Sequence, residues 1–175
     1  MESMINDILT LERIEARYRE AEPIVWCDLI QHAIETLRVE LDSKRHMLEV
    51  ECAPDLPSMR GDAVQLGRAL FNLMHNAVKY TPPGGRIKVR AYPKNYRGKI
   101  TVAVEVEDNG IGVSADQQTR LFESFYRAHQ NSAELIPGAG LGLSVVKAAV
   151  EYHKGRVYFD SAPDKGSLFG FWVPI

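Results

Sequence analysis

Three short stretches carry side chains whose types and spacing suit chemistry. In FNLMHNAVKY, Phe71 to Tyr80, the residues Asn72, Asn76 and Lys79 recur at i, i+4 and i+7, which is one face of a helix. Asparagine is a mediocre helix residue because its amide competes for nearby backbone groups. Two amide oxygens one turn apart can jointly face a hard cation; magnesium accepts oxygen ligands and keeps waters and phosphate oxygens as the remainder. The Lys79 ammonium beside them would neutralise a phosphate as a point charge. The same stripe also suits an ordinary solvated helix face. In EDNGIG, Glu107 to Gly112, Asp108 can accept a hydrogen bond from an exocyclic amine such as that of adenine, while Gly110 and Gly112 let a flat ring approach the backbone. Asp-Asn-Gly is equally a plain turn signal. In PGAGLGLSVVKAAV, Pro137 to Val150, the glycines Gly138, Gly140 and Gly142 run into a helix start, where free amides and the helix dipole favour phosphate. The spacing is neither the Walker pattern nor the dinucleotide fingerprint, and a flexible hinge accounts for it nearly as well.

The elements that must hold these residues follow from periodicity. Met4 to Glu20 is charged and amphipathic, with Met4, Ile8, Leu11 and Tyr18 near a heptad stripe, so it reads as the end of a longer helix or a surface helix stopped at Glu22-Pro23. IVWCD reads as a short strand. Asp28 is a candidate cap for a helix from Leu29 to about Lys44, with Leu29, Ala33, Leu37 and Leu41 on one face. HMLEVEC alternates, placing Leu48, Val50 and Cys52 on one side. Asp62 followed by Gln65 resembles a capping box and starts the asparagine-bearing helix, whose other stripe is Leu66, Leu70, Leu73 and Ala77. Pro82 to Gly85 is a turn between that helix and RIKVRAY. KITVAVEVED sets Ile100, Val102, Val104 and Val106 against Thr101, Glu105 and Glu107, which predicts a hairpin with one buried and one polar face. Ser114 to Ser124 reads as short helix and Arg127 to Gly138 as a polar, mobile loop. A helix from about Leu141 to His153 and the strands GRVYF and SLFGFWV close the chain. The pattern predicts an α+β two-layer sandwich: a mixed sheet covered on one face by helices, with an N-terminal helical stub.

A chain of 175 residues suits one domain with a proper core. Its formal net charge of -2 gives no bulk electrostatic reason for a nucleic-acid or anionic-membrane partner. No apolar run is long enough to span a bilayer. Cys27 and Cys52 lack metal-ligand spacing, so reduced thiols in a reducing compartment are expected.

Each motif alone is ambiguous; their order and separation are not. Asn-x-x-x-Asn-Ala-x-Lys-Tyr, then Asp-x-Gly-x-Gly, then LFESFYR, then Gly-x-Gly-Leu-Gly-Leu resembles the catalytic ATP-binding domain of sensor histidine kinases, over roughly Ile24 to Ile175. That group belongs to the superfamily of gyrase, the Hsp-ninety chaperones and the mismatch-repair ATPases, with a Bergerat-type fold. The resemblance implies ATP and Mg2+ as ligands. It implies Asn76 as the principal magnesium ligand with Asn72 as helper, Lys79 as a phosphate contact and Tyr80 as pocket lining. Asp108 would read the adenine amino group, with Gly110 and Gly112 shaping the pocket. Phe122 and Phe125 would anchor a lid, although Phe122 suits core packing as well, and Arg127 would reach phosphate. Gly138, Gly140, Leu141, Gly142 and Leu143 would wrap the phosphates, with Gly166 and Ser167 near the pocket floor.

By the same resemblance, residues 1–22 look like the tail of a dimerisation and phosphoacceptor helix, and residues 23–175 like the catalytic domain. The acceptor motif, a histidine followed by an acidic residue and Arg-Thr-Pro, is missing: His32, His46, His75, His129 and His153 have no such context. The implied partners are therefore a phosphoacceptor domain of the same parent protein and a response-regulator receiver domain. The implied setting is a cytoplasmic domain, itself without membrane contact, of a homodimeric parent. Other readings compete. Gyrase-type hydrolysis needs a glutamate four residues before the metal-binding asparagine, and here that position is Asn72, which cannot take a proton. A serine kinase of the anti-sigma-factor type lacks the Met4–Glu20 helix. A regulatory module that only binds nucleotide would not need all the motifs intact.

Overall fold

A computed structural model describes residues 21–128 and 139–175. The expected N-terminal helix, Gly138 and most of the polar loop lie outside the described residues. The elements are β1 (Glu22–Pro23), α1 (Trp26–Ser43), β2 (Met47–Cys52), β3 (Arg60–Gly61), α2 (Ala63–Tyr80), β4 (Arg86–Tyr96), β5 (Lys99–Asp108), α3 (Ala115–Gln118), α4 (Gly142–Tyr152), β6 (Arg156–Ala162) and β7 (Gly166–Pro174). Five strands form one sheet in the order β2-β4-β5-β7-β6. Only β2 and β4 run parallel. β1 and β3 make a separate two-stranded pair. None of the described helices is long and apolar enough to cross a membrane.

The inner sheet face is built by alternation. Ile87, Val89 and Ala91 of β4, Val102, Val104 and Val106 of β5, and Phe171 and Val173 of β7 are all buried there. The helices lie over this face. The stripe Leu66, Leu70, Leu73 and Ala77 of α2 is buried as the periodicity predicts, and its opposite stripe is turned outward. α2 packs against α4 on one side and α1 on the other.

Four expectations are corrected. IVWCD is not a strand: α1 begins at Trp26, three residues before the expected start at Leu29, with Val25 rather than Asp28 at the N-cap. Trp26 continues the buried stripe of Ile30, Ala33, Leu37 and Leu41 and meets the Phe171 ring at 5.8 Å, so burial on the helical stripe overrides a local β preference. Cys27 and Cys52 are not free thiols; they form a disulfide with Cα atoms 5.9 Å apart, tying the first turn of α1 to the end of edge strand β2. A contact made by the fold, across 25 residues of sequence, removes the ground for inferring a reducing compartment from cysteine usage. The outer face of the β4–β5 hairpin is not simply polar and solvated. Thr101, Ala103 and Glu105 are buried there, and Glu105 Oε1 accepts hydrogen bonds from Tyr92 and Tyr158 at 2.8 Å each, while Oε2 pairs with Arg90 at 3.0 Å. The helical region expected over Ser114–Ser124 shrinks to the four residues of α3.

Candidate functional site

A cavity of about 430 Å³ opens between α2, the loop after β5 and the start of α4, a size suited to a small molecule. Asn72, Asn76, Lys79 and Tyr80 of α2 form one wall. Asp108, Gly112 and Ser167 form the floor, and Arg127 with the run Gly140, Leu141, Gly142 and Leu143 closes the far side. Of the residues predicted from sequence, Gly110 does not line the cavity but is buried beneath it, and Gly138 lies outside the described residues.

The α2 wall is set by both ends of its helix. At the N-terminus Asp62 accepts a hydrogen bond from the Gln65 N–H at 3.0 Å. Its own N–H donates to His153 Nε2 at 2.9 Å, and His153 Nδ1 in turn bonds the Ala149 carbonyl at 2.7 Å. The Nδ1–H tautomer satisfies both contacts and joins the start of α2 to the end of α4. In mid-helix, Asn72 Nδ2 donates to the Arg68 carbonyl at 3.0 Å, which turns Oδ1 toward Gly142; a Cβ there would come within 3.2 Å of it. At the C-terminus Lys79 Nζ stands 4.8 Å from the centroid of the Tyr80 ring.

The floor is seated on that last turn. The Ile111 N–H donates to the Tyr80 carbonyl at 3.3 Å, and a Cβ on Gly110 would fall 2.5 Å from the same oxygen. Gly112 has φ +65° and stands so close to β6 that a Cβ would be 1.9 Å from the Ala162 carbonyl, so only glycine fits. The glycines thus let the loop pack on its neighbours. Asp108 Oδ1 accepts the Gly110 N–H at 2.8 Å. Burial pushes the Asp108 carboxyl up to about 6, partly offset by the Gly110 and Ser167 amides.

On the far side, α4 starts at Gly142 without a side-chain cap. Its first-turn amides and the positive end of its dipole therefore face the cavity mouth without a carboxylate or hydroxyl from the N-cap residue. Phe125 donates its N–H to the Gly140 carbonyl at 2.9 Å, and its side chain is 57% exposed, whereas Phe122 meets the Phe159 ring at 5.9 Å on the core side. Sequence reasoning missed Phe71, His75 and Glu40 as lining. Phe71 and His75 are one turn apart and stack with ring centroids at 5.6 Å, and His75 Nε2 lies 3.6 Å from Glu40 Oε2. The i, i+4 spacing of Phe71 and His75 was a legible signal; Glu40 carried none, because only the packing of α1 on α2 brings it there.

Comparison with known proteins bears on the family and the fold. The family described as histidine kinase-, DNA gyrase B-, and HSP90-like ATPase matches residues 61–175. The adaptive-response sensory kinase SasA of Synechococcus elongatus is 34% identical over 100% of this chain and 44% of its own length. The phosphate regulon sensor protein PhoR of Pseudomonas aeruginosa is 34% identical over 97% of this chain and 38% of its own. The chain thus spans under half the length of these curated relatives. Among solved structures, the mycobacterial sensor histidine kinase MprB superposes with a TM-score of 0.73 at 31% identity, covering 88% of this chain and 97% of that one. Full-length ShkA in complex with AMPPNP superposes with a TM-score of 0.82 at 28% identity, covering 98% of this chain and 35% of that one. With its motifs gathered around one cavity and these matches on both sequence and fold, the chain belongs to the family of histidine kinase-, DNA gyrase B- and HSP90-like ATPases, as an ATP-binding domain of the sensor histidine kinase kind.

Proposed function

We propose that this chain is the catalytic part of a larger two-component kinase, and that it transfers the γ-phosphoryl group of Mg-ATP to a histidine on a separate phosphoacceptor domain. The phosphoryl group would then pass to an aspartate of a response-regulator receiver. The observation that carries the reading is the convergence on one cavity of the Asn72, Asn76 and Lys79 stripe, the half-buried Asp108 and the uncapped start of α4. Residues 1–22 are read as the tail of the dimerisation and phosphoacceptor helix, residues 23–175 as the catalytic domain, and the parent as a homodimer with this domain in the cytoplasm.

Asp108 accepts the adenine amino group, with Tyr80, Gly110, Gly112 and Ser167 shaping the base pocket. Lys79 and Arg127 meet phosphate charge, and the main chain of Gly140 to Leu143 wraps the phosphates. The donor set fits magnesium: Asn72 Nδ2 is engaged by Arg68, which leaves Oδ1 as the end turned to the site, and Asn76 is one turn away on the same face. Asn76 is the principal ligand and Asn72 its helper. A bound magnesium ion supplies charge neutralisation on the phosphate oxygens. In the transfer, an imidazole nitrogen forms a P–N bond as the bond from γ-phosphorus to the ADP oxygen breaks, and the imidazole proton leaves to a base on the acceptor domain or to water. The residues of this chain hold the phosphates in line and offset developing charge; none of them takes that proton.

The test is the melting temperature with ATP, ADP and GTP, each with and without magnesium. Ligand at a hundred times its dissociation constant adds about 2.7 kcal/mol, which for a domain of this size is about 5–10 °C. A magnesium-dependent shift with adenine nucleotides only is expected, followed by label transfer from ATP to a supplied phosphoacceptor domain. No shift with any nucleotide would overturn the reading.

A further inference from the structure

The last turn of α2 is held from outside the cavity by a single ammonium group. The sequence creates the need for it. The carbonyls of Val78 and Lys79 would ordinarily accept from the N–H groups four residues on, but those positions are Pro82 and Pro83, which have none. Lys44, directly after α1, sends Nζ to the Val78 carbonyl at 2.8 Å, the Lys79 carbonyl at 2.9 Å and the Thr81 carbonyl at 3.4 Å. His46 Nε2 adds a contact to the Val78 carbonyl at 3.2 Å. The backbone is joined across the same gap: the Gly84 N–H donates to the Lys44 carbonyl at 2.8 Å, and the Met47 N–H to the Gly85 carbonyl at 2.9 Å. An ammonium has three donors, and here three carbonyls receive them at the negative end of the α2 dipole.

We propose that Lys44 is a positioning residue of the nucleotide site. The inference rests on the nucleotide reading above. The turn that Lys44 caps carries Lys79 and Tyr80 into the cavity. Through the Tyr80 carbonyl it also seats Ile111 and, below it, the Gly110 amide that holds Asp108. One side chain therefore fixes the phosphate-facing lysine and the adenine-reading carboxylate relative to each other. Lys44 touches neither adenine nor phosphate; it acts through main-chain oxygens. It also lies outside residues 61–175, where the family match falls. Without the ammonium, the Val78 carbonyl keeps only the His46 contact and the Lys79 carbonyl, with no backbone donor to turn to, must find water, so the last turn of α2 loosens.

The experiment is calorimetric titration of the whole chain with ADP, well below the melting temperature, for the wild type, Lys44→Met and Lys44→Arg. Arg38→Met serves as a control on an exposed cation of the same helix. Loss of charge-assisted hydrogen bonds at the clamp is expected to weaken ADP binding by about tenfold. Lys44→Arg should fall between wild type and Lys44→Met, and Arg38→Met should match wild type. Amide hydrogen exchange in Lys44→Met without nucleotide should quicken at Lys79 to Thr81 and Ile111 to Gly112 but not in β6, a pattern that uniform destabilisation does not produce. Wild-type ADP affinity in Lys44→Met, whatever its melting temperature, overturns the proposal. If Lys44→Met does not fold, Lys44→Gln, which keeps two donors without the charge, is titrated with the same expectation and the same overturning result. A wild type that binds no ADP would instead sink the nucleotide reading itself.

Discussion

At the scale of single residues, Asp108 is the most informative group. Its folded pKa, raised by burial to about 6, means the native state holds a proton more tightly than the unfolded chain does. Its contribution to stability is therefore fully present below the ordinary aspartate range near 3.9 and is lost as pH rises through about 6. Binding runs the other way. The carboxylate accepts from an adenine amine more strongly than the neutral carboxyl does, so ADP affinity is expected to fall as pH drops below about 6. Asp108→Asn should remove that dependence and also the preference for ATP over GTP. Parallel titrations of wild type and variant across this range check both; identical pH profiles, or an unchanged nucleotide preference, would count against Asp108 as the adenine reader. At Asn76, replacement by alanine should abolish magnesium-dependent ATP binding while leaving the fold, since the side chain faces the cavity. A titration matching wild type would remove it as a metal ligand.

At the scale of elements, α2 and the outer sheet face make separable predictions. Asp62 is buried and caps α2, so Asp62→Ala should cost about 2 kcal/mol in urea unfolding and loosen the whole site with the helix. Glu105 sits on the opposite side of the sheet from the cavity. Its carboxylate receives two tyrosine hydroxyls and Arg90, and its side chain is only 9% exposed. Glu105→Ala leaves both tyrosine hydroxyls without their acceptor and Arg90 with Glu107 alone, which should cost about 3 kcal/mol. ADP affinity should be unchanged. A drop in affinity with no loss of stability would mean the two faces are coupled in a way the packing does not suggest.

At the scale of the whole molecule, the disulfide is the one covalent link between distant parts of the chain among the described residues. It closes a loop of 25 residues in sequence separation, for which chain entropy gives about 3 kcal/mol. Cys27→Ser with Cys52→Ser, or treatment with a dithiol reductant, should lower the urea midpoint accordingly. The nucleotide-dependent rise in melting temperature should survive, because neither cysteine lines the nucleotide cavity. Unchanged stability on reduction would show that the two thiols are not joined in solution.

Much of the design was written locally. Periodicity determined the buried stripe of α2 and the alternation of the inner sheet face, and Asp62 followed by Gln65 marked the start of α2, because these signals depend on neighbours within a few positions. Motif order carried Asn72, Asn76, Lys79, Asp108 and Gly142 to one site, since the outer stripe of α2, the end of β5 and the start of α4 all face the same gap. Other features needed the folded chain. Trp26 is helical because Phe171 is there to cover it. Glu105 is buried because two tyrosines from strands on either side lean over it. Cys27 meets Cys52, Glu40 reaches the cavity rim, and Lys44 finds the carbonyls that Pro82 and Pro83 leave unpaired. Each of these contacts joins residues far apart in sequence, and no local pattern specifies a partner that only tertiary packing brings within reach.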